Sequence, residues 1–206
     1  GTQAGDITVI AAISKTAGGD ASLTLAAANN ININQSITST VGKLNVSLIS
    51  DTDVSGAGSI SVSGVSIISN GGSITLAGGD GTGVAASNGP IAAIQLSGST
   101  LTAGAGAITL RGSNTFGFNA INILAGSTAG GATQSGPITM TATNGDITLG
   151  GTIQTSGNLS ITTSAGSIIS SGTLSFGTNG AISAGGGTGT FTSNGVLRPG
   201  GVGGIG

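Results

Sequence analysis

The sequence has no cysteine, histidine, tryptophan, tyrosine or glutamate, and only 5% of its 206 residues are charged. Without cysteine there is no disulfide stapling and no thiolate metal site, and the redox compartment stays open. Without histidine, cysteine, glutamate or tyrosine, aspartate is the one usual general base left. The four cations, Lys15, Lys43, Arg111 and Arg198, are scattered and form no patch that could track phosphates, so nucleic acid is not an expected partner. With four phenylalanines as the only aromatics, the chain lacks the interfacial girdles of a membrane barrel, whose strands run about nine to eleven residues. No apolar run approaches the roughly 20 residues of a transmembrane helix. No basic n-region opens the chain, which therefore reads as a mature product or an excised segment. Disorder is also disfavoured, because it goes with low hydropathy and high net charge. Here mean hydropathy is +0.41 and net charge −2.

What the chain does have is glycine, 42 residues of it, and a short phrase that recurs. A glycine and one further residue precede Ile/Leu–Thr/Ser/Asn–Leu/Ile/Val/Met, as in Gly5-Asp6-Ile7-Thr8-Val9, Gly42-Lys43-Leu44-Asn45-Val46 and Gly58-Ser59-Ile60-Ser61-Val62. The phrase returns at Gly72, Gly106, Gly136, Gly145 and Gly157. Each copy is a three-residue strand, apolar at i and i+2, that cannot bury its apolar face without a neighbour above and below. Helix formers are scarce apart from alanines and leucines in strand-like alternation.

Asn-Gly pairs at Asn70, Asn88, Asn144, Asn179 and Asn194 punctuate the strands, and both residue types tolerate the positive φ of a sharp corner. Anchors such as Ile60, Ile74, Ile108, Ile138 and Ile147 are spaced too irregularly for a simple meander. The spacing predicts coils of roughly 20–25 residues with two or three short strands each and loops of variable length at one corner. The whole chain, 1–206, then makes one all-β, right-handed parallel β-helix of about 8–10 coils. At about 4.8 Å per coil the rod would be on the order of 40–50 Å long. The alternation turns Ile7, Val9, Leu23, Leu25, Ile31, Ile33, Leu44, Val46, Leu48, Ile60, Val62, Ile74 and Leu76 inward. It does the same for Ile108, Leu110, Ile121, Ile123, Ile138, Met140, Ile147, Leu149, Leu159 and Ile161. The Thr, Ser and Asn between them face out.

One stretch departs from the phrase. Residues near 112–134, with Phe116 and Phe118, read as an irregular loop or protrusion, or alternatively as an aromatic stack inside a wider coil.

No constellation assembles a catalytic, cofactor or metal site, so no catalytic, cofactor-binding or metal-ligating residue is assigned and no cofactor or enzymatic activity is expected. Asp6, Asp20 and Asp146 read as turn residues bonded to local backbone N–H groups. Asp51-Thr52-Asp53 projects two carboxylates to one side, fewer than the six to eight or so oxygens calcium takes. Gly78–Gly83 only faintly echoes a calcium-binding nonapeptide. The glycines from Gly126 to Gly131 make no phosphate loop, since neither a lysine nor a helix follows. Ice binding would need paired Thr-x-Thr on a flat face in most coils, and the outer slot of these phrases is single and varied.

The phrases Gly72-Ser73-Ile74-Thr75-Leu76 and Asn144-Gly145-Asp146-Ile147-Thr148-Leu149 resemble passenger regions of filamentous-haemagglutinin-like two-partner-secretion exoproteins and autotransporters. Ser156-Gly157-Asn158-Leu159-Ser160-Ile161 and the near absence of cysteine and charge add to the likeness, and Gly195-Val196-Leu197-Arg198-Pro199-Gly200-Gly201 is similar to Leu-x-Pro-Gly segments of passenger repeats. No secretion-signal domain or C-terminal barrel is recognised within these 206 residues. The resemblance implies an extracellular, cell-surface β-helix of a bacterial fibre or adhesin. Its expected partners are itself end to end, adjacent coils of a longer chain, and a host or cell-surface ligand, with no membrane span. Neither Gly1–Gly5 nor the tail Gly200–Gly206 reads as a polar cap. The alternatives are a polysaccharide-active β-helix enzyme, recognisable by three or more carboxylates on one groove, and an ice- or carbohydrate-binding solenoid.

Overall fold

A computed structural model describes residues 5–81, 83–87, 91–177, 179–185 and 189–199. The chain winds through three short strands per turn. The first coil holds β1 (Ile7–Val9), β2 (Ile13–Lys15) and β3 (Ala21–Ala26), and the second β4 (Ile31–Ile33), β5 (Ile37–Ser39) and β6 (Leu44–Ser50). The third comprises β7 (Ile60–Ser63), β8 (Ser66–Ile68) and β9 (Ile74–Gly78), followed by an inserted strand, β10 (Ala85–Ser87). The fourth has β11 (Ile94–Ser97), β12 (Thr100–Thr102) and β13 (Ile108–Asn114), and the fifth β14 (Asn119–Ile123), β15 (Thr128–Gly130) and β16 (Ile138–Ala142). The sixth holds β17 (Asp146–Leu149), β18 (Thr152–Gln154) and β19 (Leu159–Thr163). The seventh adds β20 (Ile168–Ser170), β21 (Thr173–Phe176) and β22 (Gly180–Ala184), and the eighth β23 (Phe191–Ser193) and β24 (Val196–Pro199).

Equivalent strands of successive coils pair in parallel and build three eight-stranded sheets. The first runs β1-β4-β7-β11-β14-β17-β20-β23 and the second β2-β5-β8-β12-β15-β18-β21-β24. The third runs β22-β19-β16-β13-β9-β6-β3, with β10 beside β13. The molecule is thus an all-β solenoid of about eight turns, and no helix occurs among the described residues. Counted the same way, eight coils at about 4.8 Å give about 38 Å for the described residues, at the short end of the expected length.

Register stacks like on like. Ile7, Ile31, Ile60, Ile94, Ile121, Ile147 and Ile168 form one continuous inward row on the first sheet. On the third sheet Leu25, Leu48, Leu76, Leu110, Met140, Ile161 and Ile182 form another. From the second coil onward these rows are buried. Such rows hold because each aliphatic side chain removes its surface from water against the copy above and below, and the parallel ladder pairs the backbone groups between coils.

The length of a coil varies more than expected, from 21 residues between Ile147 and Ile168 to 34 between Ile60 and Ile94. The two long coils take up their extra residues between the third and first sheets, at 51–59 and at 79–93, the latter carrying β10. The stretch near 112–134 is mostly regular: β14 and β15 lie within it and pair in both directions, and the break in the third-to-first corner is 115–118. Phe116 and Phe118 are 62% and 46% exposed, so they form no stack inside the coil.

The Asn-Gly pairs differ among themselves. Asn70 and Gly71 both take positive φ, 52° and 91°, whereas Gly180 opens a strand and Asn88-Gly89 lies outside the described residues. The tail Gly200–Gly206, the head Gly1–Ala4 and Thr82 also lie outside them.

Candidate functional site

The aspartates that precede strands reach across coils. Asp6 Oδ1 accepts from the backbone N–H of Asn30 at 2.9 Å, Asp20 Oδ1 from Lys43 N–H at 2.9 Å, and Asp146 Oδ1 from Ser167 N–H at 2.7 Å. Each partner lies 21 to 24 residues away, one coil on. The expected local turn bonds are therefore inter-coil clamps, because the corner before a strand sits directly below the same corner of the next turn. Asn30 and Asn45 act alike on Ser59 and Ser73 N–H, both at 3.0 Å.

Asp51 and Asp53 do not act as a pair. The Asp51 carboxylate folds back to accept from Ser55 Oγ and Gly56 N–H, each at 3.0 Å, and Asp53 accepts from Ser55 N–H at 3.3 Å. Asp51 shares a cleft of about 430 Å³ with Asp80, lined also by Val54, Gly79, Gly83 and Val84. Two carboxylates line that cleft, and no group of three or more metal-ligating side chains occurs among the described residues.

Two outward rows stand out. On the second sheet Ser66, Thr100, Thr128, Thr152 and Thr173 are in register on five consecutive coils, a row that the glycine phrase did not reveal. The next outward position holds Ile68, Thr102, Gly130, Gln154 and Ser175. Paired Thr-x-Thr thus occurs on this sheet only at Thr100-Leu101-Thr102, short of an ice-matching array.

On the first sheet Asn32, Ser61, Gln95 and Asn122 form an outward row over the second to fifth coils. They are half-buried. The amides of Asn32, Gln95 and Asn122 make no hydrogen bond among the described residues, unlike Asn30, Asn45, Asn70 and Asn114. A groove of about 240 Å³ opens on this row, lined by Asn30, Asn32, Ser59, Ser61, Ile91 and Gln95. Ile91 is 54% exposed at its rim. Asn114 Nδ2 donates to the Ile91 carbonyl at 2.9 Å and Asn114 Oδ1 accepts from Phe116 N–H at 2.9 Å, which ties the rim to the exposed phenylalanine turn. Neutral donor–acceptor groups beside apolar side chains are suited to binding, and nothing among them is placed to transfer a proton. The alternation of Ile121 and Ile123 placed Asn122 facing out, whereas Gln95, although it lies between Ile94 and Leu96 in the same pattern, and Ile91 in the insertion before β11 were not singled out.

Comparison with protein-family models, with curated proteins and with solved structures found no significant match.

Proposed function

We propose that this β-solenoid is a structural rod at the bacterial cell surface, part of an extracellular fibre or adhesin. The observation that carries the reading is the use made of the polar corner residues. Asp6, Asp20 and Asp146 tie one coil to the next, and the long sheets between the corners present uncharged hydroxyl and amide rows. Such a chain turns its sparse charge to holding coils in register and leaves an extended lateral surface for contact. A polysaccharide-active enzyme would need a third carboxylate on the Asp51–Asp80 cleft. The repeated Gly-x-Ile-Thr-Leu phrases, which resemble exoprotein passengers, support export.

Labelling of intact producing cells with an antibody against the folded chain tests this. Staining before lysis, removable by external protease, is expected. Staining that emerges only after lysis would overturn the assignment to the surface.

A further inference from the structure

We propose that the groove and amide row of the first sheet bind a neutral polysaccharide chain lying along the rod axis. The proposal rests on the surface-adhesin reading and names its ligand class. Each primary amide offers two donors and one acceptor, the mixture that sugar hydroxyls return. Asn32, Gln95 and Asn122 hold those groups in register on one face, half-buried and without partners among the described residues. Being solvent-accessible and committed to no other side chain, these amides can exchange water for ligand hydroxyls without breaking a bond within the fold.

Ile91 at the rim and the phenylalanine turn tied to it supply the second half of sugar recognition. Exposed Ile91, Phe116 and Phe118 give apolar surface where the C–H faces of a sugar ring can rest, and the Asn114 bonds connect the first two. Charge selects among glycans. No lysine or arginine lines the groove, and Asp6, bonded to Asn30 on its border, is negative. An anionic chain such as a glycosaminoglycan meets no counter-charge and one repulsive carboxylate. The row also continues past the groove to Asn122 and Thr148, which suits an extended chain better than a single small sugar.

Native gel electrophoresis of the whole chain in matrices containing a soluble neutral β-glucan, mannan or galactan, or heparin, is the test. Retardation by at least one neutral polymer and none by heparin is expected. The double variant Gln95→Ala/Asn122→Ala should weaken it roughly five- to a hundred-fold, the loss of two or so ligand hydrogen bonds. Phe116→Ala should weaken it as well, while Thr152→Ala on the second sheet leaves it unchanged. All variants change outward side chains, and an unaltered thermal transition checks that they fold. Mobility unaffected by all three neutral polymers, retardation by heparin alone, or equal loss in Thr152→Ala would overturn the proposal. Surface labelling of intact cells reads the adhesin assignment separately, so a surface-exposed chain that ignores neutral glycans rejects the ligand alone.

Discussion

A Cβ placed on Gly106 would lie 2.1 Å from the carbonyl oxygen of Gly72, and one on Gly136 would lie 2.1 Å from that of Gly106. These phrase glycines are needed for space, since coil stacks on coil with no gap for a methyl group, and neither takes positive φ. Gly64 is the opposite case, with φ of 67° and nothing within 4 Å of where a Cβ would stand. Gly106→Ala should therefore cost several kcal/mol, whereas Gly64→Ala should cost about 1–2 kcal/mol of backbone strain. Denaturant titration of both variants checks this, and equal losses would show that space between coils is not limiting. The inter-coil clamps give a second residue-scale expectation. Asp146→Ala removes the acceptor of Ser167 N–H and should destabilise by about 1 kcal/mol, with Asp146→Asn recovering most of it because an acceptor oxygen remains. If the asparagine variant is as unstable as the alanine variant, the clamp does not work through that hydrogen bond. From sequence both residue types were visible at these corners, but spacing to the next coil was not, so neither the steric column nor the partner of each aspartate could be read.

At the scale of the element, two of the three sheets were legible and the third was hidden. Strands of the first and third sheets carry two inward apolar residues around an outward polar one, a pattern a single sequence displays. Most strands of the second sheet carry one inward residue, as in Thr100-Leu101-Thr102 and Thr152-Ile153-Gln154, with small polar residues on both sides. One apolar residue in three leaves no alternation to detect, so Ile37, Ile67, Leu101 and Ile153 entered the core unannounced; Leu174-Ser175-Phe176 does alternate and is the exception. The face assignment elsewhere makes a clear prediction. Ile74→Asp would place an unpaired carboxylate between Val46 and Ile108, a cost of several kcal/mol, and Thr75→Ser on the outer face should cost under about 1 kcal/mol. Circular dichroism melts of the two variants should separate widely, and matching melts would contradict the inward row.

For the molecule as a whole, the solenoid's ends contrast with its middle. Ile7, Ile13, Leu23 and Leu25 of the first coil and Phe191 and Leu197 of the last are only partly buried, while the same rows are fully covered between them. Among the described residues nothing stacks on these end rows, and a second copy placed end to end would cover them. Between copies the contact is heterologous and does not close, so the isolated chain should grow into open fibres as concentration rises. Sedimentation velocity at micromolar concentration reads this directly, and a species that stays monomeric would rule it out. The sequence by itself determined the fold class, because a repeated two-apolar strand between glycine corners has no stable solution except stacking on its own copies. It also determined most of the inward rows of two sheets through the period of two, with Ile94, Leu96, Ile168 and Ile182 added by the structure. Tertiary structure alone decided which glycines are steric, which coil each aspartate clamps, and where long insertions gather. It alone brought Asn32, Ser61, Gln95 and Asn122 into one row. Those relations join residues some 20 to 35 positions apart through coils of unequal length, and a local pattern cannot count the turns between them.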